Sequence, residues 1–261
     1  MMNSNHPFHL VTLSPWPLLL SFNIMFLLTG VIKWFYFYQF NLIYLSIMLM
    51  ILILNQWWRD TTRESTFQGC HTTNVITNIK MGMILFIISE LFFFISFFWT
   101  YFHLSLSPSI EIGSLWPPKG IKMFNPYDIP LLNSIILISS GMTISWSHNY
   151  LIMNKTKIAF YSLIQTIFLG ILFSMFQYFE YMEAPFTISD SCFGSIFFLT
   201  TGFHGLHVII GFTFLLICCT RMYLNHFSKM HHIGYEAAIW YWHFVDIIWL
   251  FVYTWIYWWS F

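Results

Sequence analysis

The chain has 261 residues, 58% of them hydrophobic and only 8% charged, with ten Lys and Arg balanced by ten Asp and Glu. Soluble domains carry roughly 25% charged residues, so this composition excludes a water-soluble globule, whereas in lipid an apolar surface is the correct one. The even balance also excludes nucleic-acid binding, which needs clustered Lys and Arg to displace counterions.

Residues 1–17 hold no Lys or Arg and no small-residue cleavage site, unlike a secretory signal or an Arg-rich transit peptide. The expectation is that the first helix directs insertion, or that the protein is made inside the compartment that uses it. A hydrocarbon core about 30 Å thick needs about 20 apolar residues to cross it. Charges and turn residues divide the chain into stretches that fit: 16–31, 41–56, 81–104, 131–150, 158–179, 192–222 and 234–258. The segment 105–130 between the third and fourth, rich in Pro, Gly and Ser, reads as a surface loop. The sixth is long enough to cross at a tilt. We therefore predict an all-α, polytopic bundle of seven transmembrane helices, one integral membrane domain over 1–261, with no internal repeat.

Seven crossings put Arg59, Arg63, Lys80, Lys155, Lys157, Arg221 and Lys229 on one side, against Lys33, Lys119 and Lys122 on the other. Cytoplasm-like faces collect Lys and Arg, which places the N-terminus on the inner side; a six-span alternative scatters the bias. Trp16, Trp34, Trp57, Trp58, Trp258 and Trp259 fall at span ends, where indoles meet both chain ends and water. Cys70, Cys192, Cys218 and Cys219 form no CxxC pair and read as small hydrophobes.

Several polar residues interrupt the apolar runs. Glu90 lies nine residues beyond Met81, about 13 Å along the helix axis, and an acid at that depth invites a functional reading by default. A proton-exchanging or lipid-contacting role stands beside that of an acid hydrogen-bonded to a neighbouring helix. In the seventh stretch Glu236, Trp240 and His243 share a face, and Asp246 falls within reach of His243, a pair favoured as structural. In the sixth, Thr200, His204, His207 and Gly211 form a stripe, with Gly194, Thr201 and Gly205 beside it. Imidazoles can ligate metal or haem, but no Cys or carboxylate stands at ligand spacing, so close helix packing is favoured. His231 and His232 read as a solvated interfacial pair, and no metal site is expected. The loop from Trp57 to Thr66 gathers indoles, cations and acids, with Arg221 and His226 on the same side; such basic pockets suit anionic lipid headgroups.

These segments carry a resemblance along essentially the whole chain. Trp57-Trp58-Arg59-Asp60, Arg63-Glu64-Ser65-Thr66-Phe67-Gln68-Gly69 and the run from Gly82 to Glu90 are followed by Trp116-Pro117-Pro118 and Glu183-Ala184-Pro185-Phe186. Thr201-Gly202-Phe203-His204-Gly205-Leu206-His207-Val208 and Trp240-Tyr241-Trp242-His243-Phe244-Val245-Asp246 complete the order. The chain resembles the cytochrome c oxidase subunit III family of mitochondria.

The resemblance implies a helix pair and a five-helix bundle with a lipid-filled cleft between them. It implies no catalytic residue and no cofactor in this chain; haem and copper belong to partner subunits that oxidise cytochrome c, reduce oxygen and pump protons. The chain would support proton uptake by catalytic subunit I, alongside other oxidase subunits and bound phospholipids. By position, Trp58, Arg63, Glu64, His71, Arg221 and His226 become headgroup candidates, and Glu90 matches the family's intramembrane acid. Cys70 stands where members often have His, and Leu224 where some have Lys, which removes two phosphate partners. The implied location is the mitochondrial inner membrane, with the N-terminus on the matrix side. A haem-bearing cytochrome using His204, His207 or His243, and a proton transporter built on Glu90, His243 and Asp246, are the competing classes; the latter predicts inverted repeats, and none is seen.

Overall fold

The structure is a computed structural model that describes residues 8–261; the expectation for residues 1–17 therefore falls partly outside the described residues. Among them the helices are α1 (Trp16–Phe37), α2 (Asn41–Thr66), α3 (Thr73–Leu106), α4 (Ile129–Ile152), α5 (Thr156–Met182), α6 (Cys192–Tyr223) and α7 (Ile233–Val252). α7 runs on into a wider-turned segment, Tyr253–Trp258. All seven are long and apolar enough to cross a membrane, and the chain is a multi-pass membrane protein. Helices are the expected solution, because lipid offers backbone N–H and C=O groups no partner outside the segment itself.

Several helices overrun the apolar stretches that announce them. α2 continues past Gln56 to Thr66, and α3 begins at Thr73, ahead of Met81. A hydropathy boundary marks where the first charges appear, whereas backbone pairing continues into the headgroup zone. The α2 extension keeps its polar side chains occupied: Thr61 and Thr62 hydroxyls donate to the Trp58 carbonyl, and those of Ser65 and Thr66 to the Thr62 carbonyl. α1 ends at Tyr38, left-handed at φ 54°, whose N–H closes on the Trp34 carbonyl. α6 starts at Ser191, whose hydroxyl accepts from the Gly194 N–H, the usual N-cap bond.

The chain separates into two compact units, the first ending at Ile79 and the second running from Lys80 to Phe261. In the first, α1 and α2 pack antiparallel. Asn23 Nδ2 donates to the Ser46 carbonyl at 2.9 Å, and Trp16 Nε1 to Asp60 Oδ2 at 2.7 Å. Gly30 lets the chains approach, since a Cβ there would lie 3.1 Å from Ile43.

In the second unit the core is aromatic, and α7 is its axis. Tyr235, Trp242 and Trp249, spaced by seven, donate to Ser147, Ser140 and Ser134 of α4 at 2.6, 2.9 and 3.0 Å. A seven-residue step returns to the same helix face, so one stripe of α7 reads one antiparallel stripe of serines. Ser147 donates onward to the Ala159 carbonyl of α5 at 2.6 Å, and Thr143 and Thr166 pair at 2.8 Å. The Trp242 ring fits because α5 and α6 present glycine to it: a Cβ on Gly170 or Gly211 would lie 2.6 or 2.9 Å from the indole. In the α6 stripe, Gly194 and Gly211 thus serve close approach, while nothing lies within 4 Å of a Cβ built on Gly205.

Candidate functional site

Four of the headgroup candidates lie in the first unit. Trp58 is 52% exposed on α2. Two residues on, Asp60 accepts from Trp16 and is flanked by Arg59 at 3.3 Å and Arg63 at 3.8 Å. Held only at that distance, the exposed Arg63 guanidinium keeps donors for a phosphate. Glu64 is buried at 7% exposure, and its Oε2 lies 3.3 Å from His9 Nε2. The His9 ring meets His71 edge-on, with centroids 6.2 Å apart. Glu64, His9 and His71 thus form one cluster, in which His9 is a member that the sequence reading missed; nothing in its local pattern sets it apart.

Arg221 and His226 lie in the second unit, where α6 ends. The His226 N–H donates to the Arg221 carbonyl at 3.0 Å, and the Arg221 guanidinium sits over the Phe227 ring, 4.5 Å from its centroid. Gly234 makes room for it, since a Cβ there would lie 2.8 Å from Nη1. Arg221 Nε and His226 Nδ1 are buried, and neither has a hydrogen-bond partner among the described residues. Buried polar atoms are nearly always paired, and these two exceptions both lie at the end of α6.

Glu90 does not stand alone. His207 Nε2 of α6 lies 2.9 Å from Glu90 Oε2, and His207 Nδ1 lies 2.7 Å from the Phe203 carbonyl. A carbonyl can only accept, so Nδ1 carries a proton. The Nε2 to Oε2 contact then holds one further proton, either on a carboxylic acid facing a neutral ring or on an imidazolium facing a carboxylate. The pair opens onto a cavity of about 420 Å³ lined also by Met83, Phe86, Phe203 and Tyr241. The carboxylate partner that sequence spacing denied to the α6 histidines therefore comes from α3.

The remaining polar residues separate. His204 is buried, with Nε2 at 3.2 Å from the Val245 carbonyl, between Phe173 and Trp249. His243 Nδ1 lies 3.8 Å from Asp246 Oδ2, and its Nε2 lies 3.3 Å from the Ser145 hydroxyl. Glu236, on the same helix as Trp240 and His243, pairs with Lys80 Nζ at 2.5 Å. His232 is a correction to the solvated reading: it is 6% exposed, because its position just before α7 turns the ring inward against His148. One network escaped the sequence entirely. Tyr257 donates to Glu180 Oε1 at 2.6 Å and meets Gln177, which in turn meets Asn133, each at 3.4 Å. Its members come from α4, α5 and the chain end, and no local spacing links them.

With this geometry in view, comparison with known proteins gives a consistent result. The family model for cytochrome c oxidase subunit III matches residues 6–261. Cytochrome c oxidase subunit 3 of Drosophila melanogaster is 56% identical over 258 residues, covering 99% of this chain and 98% of that protein. The Locusta migratoria protein of the same name is 54% identical over equal coverage, and that of Pelomedusa subrufa is 52% identical over the full length of both chains. The chain belongs to the cytochrome c oxidase subunit III family.

Proposed function

We propose that the chain is a non-redox core subunit of cytochrome c oxidase, supporting electron transfer from cytochrome c to oxygen, and the coupled proton pumping, without a catalytic centre of its own. The observation that carries this reading is the family match across nearly the whole chain. The histidines support it. His207 has both ring nitrogens committed, to the Phe203 carbonyl and to Glu90, and His204 turns its Nε2 to the Val245 carbonyl, contacts of helix packing. Haem and copper are then held by partner subunits, with catalytic subunit I the one this chain serves. Its place is the mitochondrial inner membrane with the N-terminus toward the matrix, the orientation the Lys and Arg distribution favours.

Within that role, the chain binds phospholipid headgroups. Arg63, Trp58 and His71 in one unit, and Arg221 and His226 in the other, supply the cationic and indole groups. Glu64 can only accept when ionised, so it suits a headgroup hydroxyl or ammonium rather than the phosphate. Glu90 is the intramembrane acid of this reading, sharing its proton with His207 beside an apolar cavity, while His243 and Asp246 form a structural polar pair. The experiment is purification of the complex in gentle detergent, followed by partner identification, an optical spectrum and lipid mass spectrometry. Expected are haem- and copper-bearing partners, no haem on the separated chain, and less co-purifying phospholipid when Arg63→Ala and Arg221→Ala are combined. Haem retained by the separated chain overturns the non-redox reading; unchanged lipid content overturns the headgroup sites.

A further inference from the structure

Three side chains that the oxidase reading leaves unused converge at one end of the second unit. His148 comes from near the C-terminus of α4, His232 immediately precedes α7, and Glu236 lies in the first turn of α7. His148 Nε2 lies 3.1 Å from His232 Nε2, which lies 3.3 Å from Glu236 Oε1. One potential ligand atom from each residue falls within 4.8 Å of the other two.

The orientation of His232 gives this cluster a direction. Its Nδ1 lies 2.9 Å from the Ser228 carbonyl, which can only accept, so Nδ1 carries the proton and the neutral ring presents a lone pair at Nε2. That lone pair faces a carboxylate oxygen at 3.3 Å and His148 Nε2 at 3.1 Å, an arrangement completed either by a proton that His148 Nε2 carries and donates or by a metal ion. A carbonyl behind the far ring nitrogen is how ligating imidazoles are fixed in tautomer and orientation. The spacing fits as well, because tetrahedral zinc with bonds of about 2.0–2.1 Å sets its ligand atoms about 3.3–3.4 Å apart.

We propose that His148, His232 and Glu236 bind one divalent cation of the zinc class, through two imidazole nitrogens and one carboxylate oxygen, with a fourth position open to water. Zinc is the borderline ion that both donor types accept. Lys80 holds the other carboxylate oxygen of Glu236 at 2.5 Å. Glu236 thereby bridges an ammonium and the metal, and the ammonium opposes the incoming charge, making this a weaker site than the same three ligands would form without it.

The test uses the whole oxidase complex, stripped with EDTA and equilibrated with zinc, with bound metal counted by mass spectrometry. The parent complex should hold one zinc more than complexes carrying His232→Asn or Glu236→Gln. Lys80→Gln, which removes the competing cation and no ligand, should tighten binding of that zinc by about tenfold. Equal zinc counts in parent and ligand variants would overturn the site and assign the cluster to a proton that His148 Nε2 carries and donates. Should the ligand variants not assemble, anomalous scattering at the zinc edge from the parent complex decides. A peak among the three residues supports the site, and its absence at saturating zinc overturns it.

Discussion

Glu90 and His207 meet at 2.9 Å between α3 and α6, and the proton held there governs what each substitution does. Glu90→Gln keeps a donor that can face His207 Nε2, so the assembled complex should reduce oxygen within about twofold of the parental rate, because no interaction of the pair is lost. Glu90→Leu removes the partner and leaves a ring nitrogen unpaired in an apolar setting, which costs about 1–3 kcal/mol and should lower the thermal stability of the complex. Oxygen-reduction assays on both variants separate the roles: prompt loss of turnover in a fully assembled Glu90→Gln complex would show that the ionisable proton itself is required. At this scale the sequence was half legible. An acid in the middle of an apolar run stands out by its solvation cost, but its partner lies 117 residues away, beyond any local spacing rule.

The helix is the scale at which glycine positions acquire meaning. Gly170 and Gly205 both stand in apolar helical runs and look alike in sequence. In the fold, a Cβ on Gly170 would strike the fully buried Trp242 ring at 2.6 Å, whereas one on Gly205 meets nothing within 4 Å. Gly170→Ala should therefore destabilise the second unit by about 1–3 kcal/mol through overpacking. Gly205→Ala should be neutral or slightly stabilising, since alanine is the better helix former. Thermal denaturation of the two complexes checks the contrast, and equal effects would mean that Trp242 can move aside. The aromatic–serine ladder between α7 and α4 follows the same logic. The seven-residue spacing of Tyr235, Trp242 and Trp249 is written in the sequence, yet its partners are identifiable only once α4 lies antiparallel beside α7.

For the whole molecule, the proposed crossing order makes a direct claim about sidedness. In a Cys70→Ser background, a cysteine replacing exposed Lys229 should react with a membrane-impermeant maleimide from the inner side, and one replacing Lys119 from the outer side only. Labelling of both from one side would break the seven-span order. The surface fits a membrane protein: α1 and α2 leave most of their apolar side chains exposed, which in lipid carries no penalty, and the buried aromatic core belongs to the second unit.

The sequence by itself determined the membrane class, the helical fold and the number of crossings, because solvation by lipid acts on composition and on run length, both readable along one strand of text. It also exposed the cationic and indole groups at the helix ends and the isolated acid in α3. Only the tertiary structure decided which polar groups are partners: Glu90 with His207, Glu236 with Lys80, and His232 with His148 instead of with water. Those pairings depend on how distant helices align side by side. In a bundle where almost every residue is apolar, the alignment is set by the fit of rings against glycines and serines, which acts between helices and leaves no signature within any one of them.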